Sequence, residues 1–480
     1  MGVLETIKGW WSRMFTTDVK KQFGVEGIES STMRQAIELW MNVYSGACPW
    51  NNPADNIKSI KFAKFLCSEA ARLVCLDIDV SFDGSRKAAM TDFWNKSIYP
   101  RLQTWVEYGI AAGCLILKPN GDGVDFVTPD RFQITETDGN GNITGCVFQD
   151  TYQKDGRYYT KLEYHSFFTA LVKMPNSEDF VKRTFYRIEN KVFMSRDNYS
   201  IGTEISLGDT KWCDLAPVTD IIKENDNKLD GMLFGYFKMP LANDIDFDSP
   251  LGISMFANAL EELKDLDIAY SRNSEEILNS SRTVLVDERL LDKGVTKKNG
   301  ERRRIHIPMP RFVKNVMSDD AKSFYQEINP TLNTTTRQEG IDNLLSLIGC
   351  KCGFSNGYFV LDQKTGMITA TQVEADDRGT IQIIKSIRDA LQVCIDELLY
   401  AQSVFMDLYD IAPSGDYKAE YSWGDLTYSF EEDKQTWLKY VQMGKMPFWR
   451  YLVKFEGMSE AEAKAISEEM ESQDRMFDEE

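Results

Sequence analysis

Residues 355–377, SNGYFVLDQKTGMITATQVEADD, gather groups that could do chemistry: Tyr358, Asp362 and Lys364 on a glycine-punctuated loop, followed by Asp376 and Asp377. Nothing adjacent in sequence would activate the first three. The paired aspartates could serve a metal-dependent, DNA-acting enzyme, but neighbouring side chains on a helix point about 100° apart and do not easily chelate one ion. The only histidines are His165 and His306, and Cys350 and Cys352 stand as C-K-C, not as the C-x-x-C of zinc or thiol-redox sites. Zinc chemistry and Ser/His or Cys/His catalysis are therefore poorly supplied. In ETDGNGN, Glu136, Asp138 and Asn140 fall at calcium-ligand positions and Gly141 at the bend, yet Val147 stands where the bidentate glutamate belongs. A hairpin turn is expected there. No G-x-x-x-x-G-K-[ST] phosphate loop occurs, so ATP hydrolysis by the chain itself is not expected.

A chain of 480 residues, 42% hydrophobic and 12% aromatic, can bury real cores. Its net charge of −19 argues against a protein that grips nucleic acid through phosphate neutralisation, though not against one past which nucleic acid slides. Nine scattered cysteines point to a reducing compartment. MGVLETIKGWWSRMF reads as a short amphipathic helix without the features of a signal peptide. The apolar run YGIAAGCLIL, 108–117, is about half of what a membrane span needs, so a soluble protein is expected.

The elements that must position the loop follow from periodicity and caps. Thr32 with Gln35 predicts a helix ended by Gly46, and Phe62, Phe65, Leu66, Ala70 and Leu73 predict a second, followed by the strand LDIDVSF. From about 124 to 220 the pattern is that of an antiparallel meander. Ser249 and Pro250 predict the start of a helix of about thirty residues, roughly 45 Å long, with carboxylates between its apolar positions. A compact insert, with RTVLVDERLL, IHIPM, RFVKNV and SFYQEINP as short strands and KGVTKKNGERRR as a charged turn, is the one strongly basic patch in an acidic chain. Thr336 with Glu339 opens another helix with Gly349 as its stop, and Thr371 with Glu374 opens a long one in which Gly379 marks a bend or close contact. Strand YKAEYSWGDLTYSF and short helices close the chain, Ser459 with Glu462 capping one of them.

Four stretches in this order, WMNVYSGACPWN, SPLGISMFANALEELKDLDIAY, GCKCGFSNGYFVLDQKTGMITATQVEADD and WGDLTYSFEEDKQTWLKYVQMGKM with GMSEAEAKAI, resemble the portal proteins of tailed bacteriophages, in particular those of phages and prophages of Gram-positive bacteria. The resemblance implies an α+β portal fold: a wing (1–249), a first stem helix (250–282), a clip (283–335), a second stem helix (336–352), a tunnel loop (353–371), a long bent helix (372–403), a wing return strand (404–430) and a short helical crown (431–480). It implies a ring, usually of twelve, at one capsid vertex, assembled in the host cytoplasm, with no enzymatic activity and no cofactor. Double-stranded DNA enters through it during packaging and leaves through it during ejection. Implied partners are further copies of the chain, the terminase large subunit, a head-completion adaptor, and the major capsid and scaffolding proteins, with no membrane.

Carried onto this sequence, the resemblance makes Asp362, Gln363, Lys364, Thr365 and Met367 the loop residues that meet DNA. Glu261, Glu262, Asp265, Glu275 and Glu276 become an acidic channel wall that keeps phosphates from sticking. Lys293, Lys297, Lys298, Arg302, Arg303, Arg304, Arg311 and Lys314 become the clip's contact with a protein partner or with DNA. Two alternatives stay open: another head or neck protein such as an adaptor, and the metal-dependent enzyme above.

Overall fold

The computed structural model describes residues 18–121, 123–173, 180–197, 200–222, 229–279, 283–287, 295–298, 301–304, 313–316, 325–328, 334–359, 378–424, 437–441, 443, 445–456, 463–464 and 466–467. The protein is mixed α+β and forms two units, Met1–Cys75 with Val80–Glu420, and Leu76–Asp79 with Tyr421–Glu480.

In the larger unit, helix α1 (Ser31–Ser45) begins one residue before the expected Thr32, because Ser30 is the cap: its Oγ accepts from Met33 N at 3.2 Å. Ser30 N in turn donates to Asp246 Oδ2 at 3.1 Å, and Gly46, at φ 84°, ends the helix as its position predicts. Helix α2 (Phe62–Val74), strand β1 (Asp79–Asp83), α3 (Lys87–Phe93) and α4 (Leu102–Ala112) follow. The apolar run 108–117 is apolar because it is the end of α4 plus strand β2 (Cys114–Pro119), every residue of which is buried. β2 is the middle of a three-stranded sheet with β3 (Val124–Val127) and β10 (Gly235–Lys238).

The expected meander is an antiparallel sheet: β4 (Phe132–Thr137), β5 (Ile143–Lys154), β6 (Arg157–Lys173), β7 (Phe180–Ser195) and β8 (Thr203–Ile205), with β9 (Val218–Ile221) also pairing with β7. Between β4 and β5 the DGNGN stretch is the hairpin turn expected. Asp138 Oδ1 accepts from Asn140 N at 2.9 Å and Asn142 N at 2.8 Å, and Gly141 takes φ 83°.

Helix α5 (Leu260–Asn279) begins ten residues after the expected Ser249–Pro250 start and is about 30 Å long, not 45 Å. Residues 251–256 are instead a buried non-helical segment. There the main chains of Gly113, at φ 84°, and Gly252 approach so closely that a Cβ on Gly252 would lie 2.2 Å from Gly113 O. Met255 N donates to Ile110 O at 3.2 Å, so this N–H is bonded to α4 and not within a helix of its own. Ser249 caps no helix: its Oγ accepts from Leu251 N at 3.3 Å in a local turn.

Helix α6 (Thr334–Lys351) runs past the expected stop at Gly349, and Gly353, at φ 85°, turns the chain two residues after its end. Helix α7 (Arg378–Leu408) buries Ile384, Ile387, Leu391, Ile395 and Leu398 at helical spacing, packing on β10 and β2. Two arginines fix it. Arg388 donates from Nε to Val74 O at 3.1 Å and from Nη2 to Leu73 O at 2.9 Å, capping the end of α2. Arg86, 2% exposed, donates to Ser403 O at 2.9 Å and Pro413 O at 3.0 Å and pairs with Asp407.

Strand β16 (Lys418–Ser422) lies where YKAEYS predicts it. In the smaller unit, residues 437–441 and helix α8 (Phe448–Glu456) bring Trp437, Trp449, Tyr451 and Leu452 into one apolar cluster with Ala463 and Ile466. The expected Ser459–Glu462 cap lies outside the described residues. Among the described residues no helix is long and apolar enough to cross a membrane.

Candidate functional site

Two ion pairs define how α5 and α6 lie. Glu262 Oε1 meets Lys351 Nζ at 2.5 Å, and Glu276 pairs with Arg337. Position 262 therefore faces 351 while 276 faces 337, which makes the two helices an antiparallel hairpin. Leu263, Leu266, Ile341, Leu345 and Ile348 are its buried apolar residues. Asp267, 4% exposed, accepts from Trp50 Nε1 at 2.8 Å and Ile60 N at 2.9 Å; burial pushes its carboxyl up against those donors. This contact joins the WMNVYSGACPWN stretch to the acidic helix.

The expected acidic face is thus divided. Glu262 and Glu276 are spent on α6, and the hydrogen bond from Lys351 holds the Glu262 carboxyl below its usual range. Glu275 accepts from Arg272 Nη1 at 2.7 Å and Asn56 Nδ2 at 3.3 Å. Glu261, which lies 3.5 Å from Lys264, and Asp265 are exposed four residues apart.

The far end of this hairpin carries the basic insert. β11 (Thr283–Asp287) pairs with β14 (Val313–Val316) in parallel and with β15 (Tyr325–Ile328) antiparallel. β12 (Val295–Lys298) and β13 (Glu301–Arg304) form a separate two-stranded ladder that sets Lys297 across from Arg302, Thr296 across from Arg303 and Val295 across from Arg304. Five of the eight predicted basic positions, Lys297, Lys298, Arg302, Arg303 and Arg304, are thereby brought onto one β-ribbon. Lys314 lies on β14, and Lys293 and Arg311 lie outside the described residues.

The near end carries the loop that raised the question of chemistry. Asp362, Gln363, Lys364, Thr365, Met367, Asp376 and Asp377, and the expected Thr371–Glu374 cap, lie outside the described residues; the loop's base does not. Ser355 Oγ and Thr380 Oγ1 lie 2.9 Å apart, and Thr380 Oγ1 also accepts from Ser355 N at 2.8 Å. Both residues are buried. Gly379 is not the close contact expected: a Cβ there would stand 3.6 Å from Gly353 O, an ordinary van der Waals distance.

On the entering side Phe359 packs edge-on to Phe62, Phe65 and Phe354, with ring centroids 5.4, 5.8 and 4.8 Å away. Tyr358 is part of the same knot. Its hydroxyl donates to Glu69 Oε1 at 2.6 Å, and burial followed by that bond raises its pKa, so the phenol is held as a neutral donor.

One cluster went unread in the sequence. Glu163, buried on β6, accepts from Lys118 Nζ at 2.6 Å and His165 Nε2 at 2.7 Å on Oε1, and from Lys161 Nζ at 2.6 Å on Oε2. Tyr186 OH accepts from Leu233 N at 3.0 Å, so its proton goes to His165 Nδ1, 2.6 Å away. His165 is therefore the neutral Nε2–H tautomer, and burial lowers its pKa. The signal was the alternation Lys161-x-Glu163-x-His165, which puts all three on one face of a strand. Every member has a partner within this network, which reads as a rivet between β2 and β6.

Among the described residues no three His, Cys, Asp or Glu side chains come together as a metal set. Comparison of the chain with models of known families and with curated proteins gave no match in either case.

Proposed function

We propose that this chain is the portal subunit of a tailed bacteriophage, a ring-forming head–tail connector of about twelve copies with no catalytic step of its own. The observation that carries this reading is the order α5, basic β insert, α6, base-anchored loop, α7, in which insert and loop leave opposite ends of one antiparallel helical hairpin. That order matches the one implied by the four sequence stretches. In this reading the loop reaches into the channel, and the exposed Glu261 and Asp265 are repeated around the ring as phosphate-repelling positions. The insert docks the terminase large subunit during packaging and an adaptor afterwards. The wing and the smaller unit meet capsid and scaffolding proteins.

Native mass measurement and electron-microscope class averages of the purified chain test it. A closed ring of about twelve copies with a central channel is expected; a protein that stays monomeric at all concentrations and with scaffolding protein present would sink it.

The insert supplies a second measurement. Changing Lys297, Lys298, Arg302, Arg303 and Arg304 to glutamate should leave the ring intact and weaken docking of terminase or adaptor by roughly tenfold or more, with a reduced salt dependence. Unchanged docking would make the ribbon a solvated tip.

A further inference from the structure

The outer half of the β6–β7 hairpin has no neighbour on either edge among the described residues. β5 ends at the Gly145–Ser166 pair and β9 ends at the Tyr186–Ile221 pair, whereas β6 and β7 continue together to Lys173–Phe180. A two-stranded ribbon alone in water is marginal. This one is held in part by Phe168 stacked on Phe185, centroids 5.3 Å apart, with the Arg187 guanidinium 3.9 Å over Phe168. It still exposes Leu171 (70%) and Phe180 (63%). The register places Leu171 opposite Lys182 and Lys173 opposite Phe180, so one face alternates apolar and cationic side chains, both lysines being exposed.

Elsewhere on the same unit an open groove of about 620 Å³ is lined by Met41, Tyr108, Phe126 and Phe132 and by the carboxylates of Glu29, Glu38 and Asp130. Arg34 and Arg131 also line it, Arg34 turned to Glu29 Oε1 at 3.6 Å. The Glu29 side chain is 5% exposed; burial pushes its carboxyl up to about 7, against Arg34 and a hydrogen bond with Gln133. Carboxylates beside aromatic walls suit a cationic side chain flanked by apolar groups.

From this we infer that the outer β6–β7 ribbon of one copy inserts into this groove of a second copy, Leu171 and Phe180 against Phe126 and Tyr108, with Lys182 and Lys173 toward the carboxylates of Glu29, Glu38 and Asp130. The ribbon cannot fill its own groove. Gln149, on the groove wall, pairs with Leu162, and Leu171 lies nine residues farther along the same strand, roughly 30 Å away. Ribbon and groove being different surfaces, the contact is head-to-tail, the kind that propagates and closes into a ring when the rotation allows. The inference deepens the ring reading and rests on it only for closure.

The test reads contact and closure separately. In a background with the exposed Cys213 and Cys350 changed to serine, Leu171→Cys and Phe126→Cys are combined in the full chain and treated with a short bis-maleimide; each single-cysteine variant is the control. A ladder of covalent multimers in the double variant alone is expected, and Leu171→Asp with Phe180→Asp should weaken self-association roughly tenfold or more. Multimers crosslinked in open chains, with no closed ring by native mass, would keep the contact and remove the ring. Closed rings with no crosslink, or unweakened by the aspartates, would overturn the contact and leave the ring reading standing. A monomer with no crosslink would overturn both.

Discussion

Replacing Glu163 with leucine should destabilise the larger unit by about 3–5 kcal/mol, because it strands two buried ammonium groups and the His165 Nε2–H without their acceptor. The magnitude follows from the geometry: Lys118 and Lys161 are 8% and 7% exposed, so neither regains water when its partner goes. Thermal or urea unfolding of the full chain measures it. The control is Lys118→Met, Lys161→Met and Glu163→Leu together, which removes donors and acceptor at once and should recover most of the loss. A loss below about 1 kcal/mol for Glu163→Leu would mean the network does not hold β2 to β6.

The same network sets a pH dependence. Burial pushes the Glu163 carboxyl up, but Lys118, Lys161 and His165 outweigh it and hold it well below 4.5. A depressed acid contributes stability above its unfolded value and loses it as pH falls through the folded one. Burial also lowers His165 below 6.5, so the folded state resists a proton that the unfolded chain accepts. The two act in one direction: stability should decline as pH drops below about 6.5, with a slope of up to about 1.4 kcal/mol per pH unit for each group. His165→Gln should flatten the upper part of that decline, and an unchanged profile would remove His165 from it.

Deleting Asp362–Met367 should leave ring mass and unfolding midpoint unchanged while abolishing most packaging or retention of DNA in assembled heads. Stability is spared because Ser355–Thr380 and the Phe62–Phe65–Phe354–Phe359 cluster close the loop's base regardless of what it spans. The closure entropy changes by only about 0.3 kcal/mol. Function is lost if the loop tip is what meets the moving duplex. Genome-filled heads at normal yield would take the loop out of the mechanism; an unfolded or unassembled variant would show that the base is not self-sufficient.

Much of the fold was legible wherever one periodicity ruled. The faces of α1, α2 and α7, the hairpin at Asp138 and strands β11, β14 and β15 of the basic insert follow from apolar spacing and turn residues, whereas KGVTKKNGERRR, expected as a charged turn, holds the paired strands β12 and β13. The reading failed where tertiary contacts replaced local ones. Residues 251–256 carry good helix signals, but two glycine backbones in contact and the Met255–Ile110 hydrogen bond keep the segment out of a helix. Thr32 lost the capping role to Ser30, whose own N–H is fixed by Asp246, 216 positions away and invisible to any local pattern. The acidic helix was read as one uniform face. Yet Glu262 and Glu276 point to cations on a helix more than sixty residues on, and Asp267 to an indole near the start of the chain. Lys161, Glu163 and His165 were passed over because charged residues on a strand are ordinarily taken to face water, and only the second sheet behind them reverses that. Leu171 and Phe180 carry no sequence signal of their own and stand out only through their exposure in the structure.

The hold on the loop's base has a bearing on ionic conditions. Its buried members are two hydroxyls and phenyl rings, with no formal charge among Ser355, Thr380, Phe354 and Phe359. Dissolved ions weaken attractions between charges and leave neutral hydrogen bonds and ring packing almost untouched. The neck of the loop is therefore as firm in concentrated salt as in dilute buffer, even as the ion pairs along α5 and α6 soften.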